Sequence, residues 1–368
     1  MPFRPEPVIK GIKPPAHGGL LALRDSALGS LGIDPRDVLD FSVCTNPFMP
    51  PPGVKEMMGS LPVERYPDPQ SSQLRRALAV KLGVPPENIL VGSGTTELIR
   101  LVATAYFRRT DPVLILEPTY GEYEVAARLS GARVLKFRAD EKDGFSPRLP
   151  DFIDVIRARK PRAVFICNPD NPTGRYLSRD AITAVLDNLG DGLLVLDEAY
   201  VAFTAESWDS LDLAGRGNVV VLRSMTKDYG LPGLRLGYAV ACREIIDALR
   251  LVAPPWNVNI VAQEVGLAVL AREEYLKQSL CQVREAGRFL AAEIGRLGFE
   301  VLPSDTHYFL VKVGNAGALQ RSLLKKGFLV RDCSSFGLKE YVRVSPRAMP
   351  ECVRLVEALA GVMVDVKH

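Results

Sequence analysis

The chain has 368 residues, 47% of them hydrophobic, and a formal net charge of +3, room for two domains, or one large domain and a smaller lobe, of ordinary globular composition. Its 46 basic and 43 acidic residues form no long single-sign blocks, so neither nucleic acid nor an anionic membrane is indicated as a partner, and no apolar run is long enough to cross a bilayer. Met1 to Lys13 lacks an apolar core, the six cysteines show no C-x-x-C spacing and only three histidines are present; secretion, disulfide staples and a protein-held metal are disfavoured, and a cytoplasmic protein with reduced thiols is expected.

The first 45 residues begin Pro-rich, pass through the turn Ala16-His17-Gly18-Gly19 and a helix candidate, and reach a short strand at 38–43. This segment is expected to pack with the C-terminal lobe or to cover a cleft. Apolar, largely β-branched runs follow at 89–91, 113–116, 133–137, 163–167, 193–196, 219–222 and 237–241, alternating with helical patterns such as 96–106, 122–129, 151–158 and 179–189. Such alternation predicts an α/β fold with a mostly parallel, seven-stranded sheet covered on both faces. After Pro254-Pro255 come long helices at 261–270 and 274–297 and strands at 309–313 and 341–344, the pattern of a smaller α/β lobe. The division expected is an N-terminal segment 1–45, a large domain 46–255 and a small domain 256–368.

Ligands of such sheets bind beyond the carboxyl ends of the strands, and most polar clusters of this chain follow a strand end. Val91-Gly92-Ser93-Gly94-Thr95-Thr96-Glu97 joins strand to helix through small residues, so that free N–H groups at the helix start can meet a phosphate. It lacks the G-x-x-x-x-G-K pattern of a nucleotide P-loop. Glu117-Pro118-Thr119-Tyr120-Gly121 offers Tyr120 either as a lid on a flat heterocycle or as a core-edge tyrosine. In Asn168-Pro169-Asp170-Asn171-Pro172-Thr173-Gly174 turn chemistry explains most of the composition, while Asn171 is also a donor fixed by the next proline. Asp197, ending an apolar strand in Asp197-Glu198-Ala199-Tyr200, suits either a helix cap or magnesium ligand, or a carboxylate that keeps a pyridine nitrogen protonated; Tyr200 could then hydrogen-bond the ring hydroxyl. In Ser224-Met225-Thr226-Lys227, with Arg235 eight positions on, the amine can condense with an aldehyde cofactor while the hydroxyls and the guanidinium take its phosphate.

Together and in this order, the segments resemble the fold type I, pyridoxal-phosphate-dependent aminotransferases of classes I and II, over nearly the whole chain. The resemblance implies pyridoxal 5′-phosphate as cofactor, Lys227 as the lysine that binds it, Asp197 at the pyridine nitrogen, Asn171 and Tyr200 at the ring oxygen and Tyr120 on the ring. It implies Gly94, Thr95, Thr96, Ser224, Thr226 and Arg235 around the phosphate. Arg65-Tyr66-Pro67-Asp68-Pro69 resembles the element that lends its tyrosine, here Tyr66, to the phosphate of a neighbouring subunit, which implies a homodimer.

Within that family the chain is similar to the subgroup of histidinol-phosphate aminotransferases and the threonine-phosphate decarboxylase of cobalamin biosynthesis. Val330-Arg331-Asp332 and Asn46-Pro47 resemble elements of both, and Arg343 matches the arginine that forks a substrate α-carboxylate. The His17-Gly18-Gly19 turn, Asp40-Phe41-Ser42, Ser-Met-Thr-Lys, Trp256 and the pair Arg343 and Arg347 lean toward the decarboxylase, implying His17, Arg331 and Arg347 at the substrate phosphate, with Asn46 nearby. Thr45 and His307 depart from the subgroup patterns. The expectation is therefore decarboxylation of O-phospho-L-threonine to (R)-1-aminopropan-2-yl phosphate. The alternative is transamination of histidinol phosphate with 2-oxoglutarate. A cofactor-binding sensor is the non-enzymatic reading; such sensors carry a helix-turn-helix domain ahead of the fold, for which the first residues, about 45 of them, are too few and too Pro-rich.

Overall fold

The computed structural model describes residues 9, 11–20 and 33–366. Its strands, in chain order, are β1 (Leu39–Asp40), β2 (Ile89–Gly92), β3 (Pro112–Glu117), β4 (Arg133–Arg138), β5 (Ala163–Cys167), β6 (Leu193–Asp197), β7 (Val219–Ser224), β8 (Gly237–Val240), β9 (Glu300–Val301), β10 (Phe309–Lys312), β11 (Phe328–Leu329), β12 (Arg331–Asp332) and β13 (Tyr341–Val344). Seven of them form one sheet in the order β2-β8-β7-β6-β5-β3-β4, parallel throughout except for β8, which is antiparallel to both of its neighbours.

The central strands are apolar at nearly every position because both faces are covered. Along β6, Leu194 and Leu196 belong to one core, against helices Leu149–Arg159, Arg179–Leu189 and Ile260–Leu270. Leu193 and Val195 belong to the other, against helices Thr95–Tyr106, Glu122–Leu129 and Arg243–Val252. β5 divides the same way, with Val164 and Ile166 on the first face and Phe165 and Cys167 on the second. Ser178 and Asn259 cap helices Arg179–Leu189 and Ile260–Leu270, each side chain accepting from an amide of the first turn.

A second, antiparallel sheet, β12-β13-β10-β9, packs with helices Glu273–Arg296, Ala316–Lys325 and Met349–Val366 around its own core. The N-terminal segment joins this part of the molecule: Phe41 is fully buried in that core, and β1 pairs in parallel with β11.

Most strands and helices fall within two residues of the expected limits. The strand expected at 38–43 is an exception, since only Leu39–Asp40 is extended and paired. Asp40 Oδ1 accepts from both the amide and the hydroxyl of Ser42, at 2.8 and 2.6 Å, and this local turn takes the chain out of the sheet. Residues 21–32, and with them the helix candidate of this segment, lie outside the described residues. Among the described residues no helix is long and apolar enough to cross a membrane.

Phe165 is fully buried, stacked on Tyr123 at 5.0 Å and edge-on to Phe107 at 5.9 Å. Phe165→Ala is expected to cost about 3–5 kcal/mol through the cavity it leaves, read as a lowered denaturant midpoint.

Candidate active site

Strands β3, β5, β6 and β7 point the same way, so their carboxyl ends share one edge of the sheet. β8 runs opposite to β7, and β2 opposite to β8, so β2 also ends at this edge and β8 begins there. Gly237, the first residue of β8, pairs with Gly92 on one side and Ser224 on the other. A Cβ at Gly237 would lie 3.0 Å from the Thr95 amide nitrogen, so glycine there lets the helix start close onto the strand. The five strand ends and the start of β8 thus deliver Thr95, Tyr120, Asn171, Asp197, Lys227 and Arg235 to one cavity of about 390 Å³.

Asp197 lies on the floor, 3% exposed, and accepts from Tyr123 Oη at 2.8 Å and from the Ala199 amide at 3.0 Å. Burial pushes its carboxyl up to about 6, against those hydrogen bonds. The adjacent Glu198 leaves the strand on the opposite side, where Arg223 binds it at 2.9 Å. Of two consecutive acids, strand alternation therefore sends one to the cavity and the other to a structural ion pair. Lys227 Nζ lies 5.7 Å from the centre of the Tyr200 ring. Burial lowers the pKa of this amine, and the cations of Arg343 and Arg235 lower it further, against Cys44 and Asp197. A lysine so placed is more readily neutral, the state in which it attacks a carbonyl.

At the other end of the floor, helix Thr95–Tyr106 begins after Gly94, whose φ is 78° and which offers no side-chain cap. The N–H groups of its first turn and the helix dipole are left to an anion. A Cβ on Gly94 would fall 2.6 Å from Arg235 Nη2, and Arg235 itself holds a left-handed φ of 56°, a conformation that a non-glycine residue keeps only where its surroundings enforce it. Ser224, Thr226 and Thr96 line the same region, with Thr96 Oγ1 3.1 Å from Tyr120 Oη. These hydroxyls, amides and guanidinium suit a phosphate monoester, and the floor pairs an acid for a cationic ring nitrogen with an amine for an aldehyde. The residues fit pyridoxal phosphate.

Arg343, 5% exposed, forms the far wall. Its Nη1 donates to Asn171 Oδ1 and its Nη2 to the Ser42 carbonyl at 2.7 Å, while Nε is buried with no hydrogen-bond partner among the described residues. Pro15 to Gly18 of the N-terminal segment line the cavity. Arg331 also lines it, but its terminal nitrogens donate to the carbonyls of Ala16 (2.6 Å) and His17 (3.1 Å) and to Ser335 Oγ (2.8 Å).

Four residues named from the sequence are not in the lining: Gly94, which shapes the helix start just outside it, and Asn46, Arg347 and Tyr66. Asn46 is buried behind the wall, with Nδ2 donating to the Asp228 carbonyl at 3.0 Å and to Ser279 Oγ at 2.8 Å, so its amide is spent on the scaffold. Arg347 is turned away by Glu351, which takes Nε at 3.1 Å and Nη2 at 3.0 Å. Tyr66 stands on the surface, 80% exposed, its ring tilted against that of Trp256 with centroids 4.7 Å apart. Tyr123 and Glu122, conversely, were not singled out from the sequence. Both sit in the first turn of helix Glu122–Leu129, where an apolar periodicity makes Tyr123 look like core. The tyrosine three residues earlier, at the strand end, was the signal that this turn faces the site.

Residues 36–359 match the aminotransferase class I and II family, and the chain belongs to that family of pyridoxal-phosphate enzymes. It is 37% identical over 295 residues to a histidinol-phosphate aminotransferase of a Thermoanaerobacter species, covering 79% of this chain and 82% of that protein. It is 35% identical over 336 residues to the histidinol-phosphate aminotransferase of Moorella thermoacetica, covering 89% and 86%. Among solved structures it resembles L-threonine-O-3-phosphate decarboxylase from Porphyromonas gingivalis, with a TM-score of 0.79, 29% identity and 89% and 99% of the two chains covered.

Asp197→Asn keeps the shape of the side chain and removes its charge. It is expected to lower kcat by at least about 100-fold, the scale seen when one preorganised electrostatic partner is lost, with an unchanged circular dichroism spectrum.

Proposed function

We propose that this chain transfers the amino group of histidinol phosphate to 2-oxoglutarate, as a homodimer using pyridoxal phosphate. The observation that carries this reading is the single cavity in which Lys227 faces the buried Asp197 beside an anion cradle, with Arg343 opposite. The relatives named histidinol-phosphate aminotransferase support the substrate.

Bound pyridoxal phosphate supplies a conjugated ring that accepts the electron pair left at the substrate Cα. Asp197 balances the cationic ring nitrogen, Asn171 and Tyr200 meet the ring oxygen, and Tyr120 flanks the ring. Thr95, Thr96, Ser224, Thr226 and Arg235 hold the phosphate. Lys227 Nζ would hold the cofactor, and its amine is the base placed to take the proton from the substrate Cα. Arg343 takes the anion next to the reacting carbon: the α-carboxylate of glutamate in one half-reaction, the phosphate ester of histidinol phosphate in the other. A planar guanidinium fork suits both. The dimer rests on the exposed Tyr66–Trp256 pair, an aromatic surface of the kind a second subunit covers; Tyr66 then reaches the cradle of the other subunit.

One observation favours decarboxylation of O-phospho-L-threonine as a second reading: His17, which the resemblance to the decarboxylase assigns to the substrate phosphate, lines the cavity. Against it, the guanidinium of Arg347 is engaged by Glu351, so the second arginine of the pair is not offered to a substrate phosphate.

The purified enzyme is expected to form glutamate from 2-oxoglutarate only when histidinol phosphate is supplied, and to release no carbon dioxide from O-phospho-L-threonine; carbon dioxide without glutamate would replace this reading by the second. Lys227→Ala is expected to lose both the activity and the covalent cofactor trapped by borohydride. Arg343→Lys, which keeps the charge but not the fork, is expected to lower kcat/KM by about 10- to 100-fold.

A further inference from the structure

The roof of the cavity is fixed at several independent points. Gly19 N donates to Ser42 Oγ at 2.8 Å and Leu20 N to Asp40 Oδ2 at 2.9 Å. Gly18 passes so near Ser42 that a Cβ there would lie 2.8 Å from its carbonyl oxygen. Pro15 sits against Gly121, where a Cβ would be 2.7 Å from Pro15 Cβ. Arg331, itself buried, binds the carbonyls of residues 16 and 17 from behind. None of these contacts orients the His17 side chain.

That contact comes from a helix packed on the large sheet. Glu122, at the first position of helix Glu122–Leu129 and 6% exposed, places Oε1 3.4 Å from His17 Nε2 and Oε2 3.3 Å from Arg100 Nη2. All three side chains line the cavity, and the His17 ring lies 6.0 Å from the Tyr120 ring. A carboxylate at this depth needs both partners. The helix start adds a favourable field for its charge. His17 holds the Glu122 carboxyl below its usual range, with Arg100 adding to this and burial opposing it.

We infer that Glu122 is a positioning residue: its carboxylate latches Pro15–Gly19 over the cavity and fixes His17 and Arg100 as the outer wall of the substrate site. Arg331 then works through the same roof, by holding its backbone. Neither residue reaches the reacting carbon; both determine how tightly the space above the ring closes on an anionic substrate. The inference rests on the reading of this cavity as the site of a phosphorylated amino compound.

Two variants test it on the holoenzyme. Glu122→Gln keeps the volume and removes the charge, while Gly121→Ala leaves the latch and displaces Pro15. Hydrogen exchange at the Gly19 and Leu20 amides is expected to quicken in both by about tenfold, in Glu122→Gln through the loss of one charge-assisted contact and in Gly121→Ala through the displaced Pro15. The KM for histidinol phosphate is expected to rise by a similar factor, about tenfold, with kcat and the melting temperature nearly unchanged, the pattern of lost uniform binding. The exchange measurement needs no substrate, so it stands even if the wild type proves inactive on histidinol phosphate, an outcome that removes the proposed function and leaves the latch to be judged by exchange. Unchanged exchange in Glu122→Gln overturns the inference. So does faster exchange with an unaltered KM in an active enzyme, and so does a joint fall of kcat and melting temperature, which marks a purely structural role.

Discussion

The site depends on a buried carboxylate that no ion pair among the described residues neutralises. Asp197 ends β6 at a depth where an ionised acid is costly, and among the described residues it receives two neutral hydrogen bonds but no ion pair. Its neighbour Glu198 shows the ordinary solution, a salt bridge with Arg223. The contrast between the two gives the cavity its chemical direction. One acid is spent on the scaffold, the other is left facing Lys227 and a space suited to a cationic ring.

Parallel pairing supplies the rest. The register that sets Asp197 beside Leu222 also puts the end of β7, and with it Lys227, next to the acid. The single antiparallel strand is equally necessary, because only a reversed β8 returns the chain to the same edge just after Arg235. Phosphate-binding and amine-bearing groups reach one place through strand direction, and the loops need only be short.

Much of this was legible in the sequence. Polar residues that break off apolar runs stand out, and Asp197, Lys227, Asn171 and Tyr120 all follow a buried strand. The sheet was legible for the same reason, since strands covered on both faces carry unbroken apolar runs. What lay hidden were side chains whose use depends on a distant partner. Tyr123 follows the same apolar spacing as Ala126 and Ala127, and only its hydroxyl, 2.8 Å from Asp197, departs from a core role. Asn46 and Arg347 carry the right groups in the right motifs, but Ser279 and Glu351 hold them away from the cavity. The Arg347–Glu351 spacing, four residues along a chain entering a helix, is a competing pair that the sequence itself carries.

The position of β1 bears on how the molecule is put together. Leu39 and Asp40 are bound to β11, Phe41 is sunk in the C-terminal core, and Asp40 in turn holds the Leu20 amide. The residues above the cofactor pocket are thus fastened to the far end of the polypeptide, while the pocket floor belongs to its middle. Chain ends remote in sequence share custody of one enclosure, and a shift of either body against the other would change its headroom before disturbing any group on its floor.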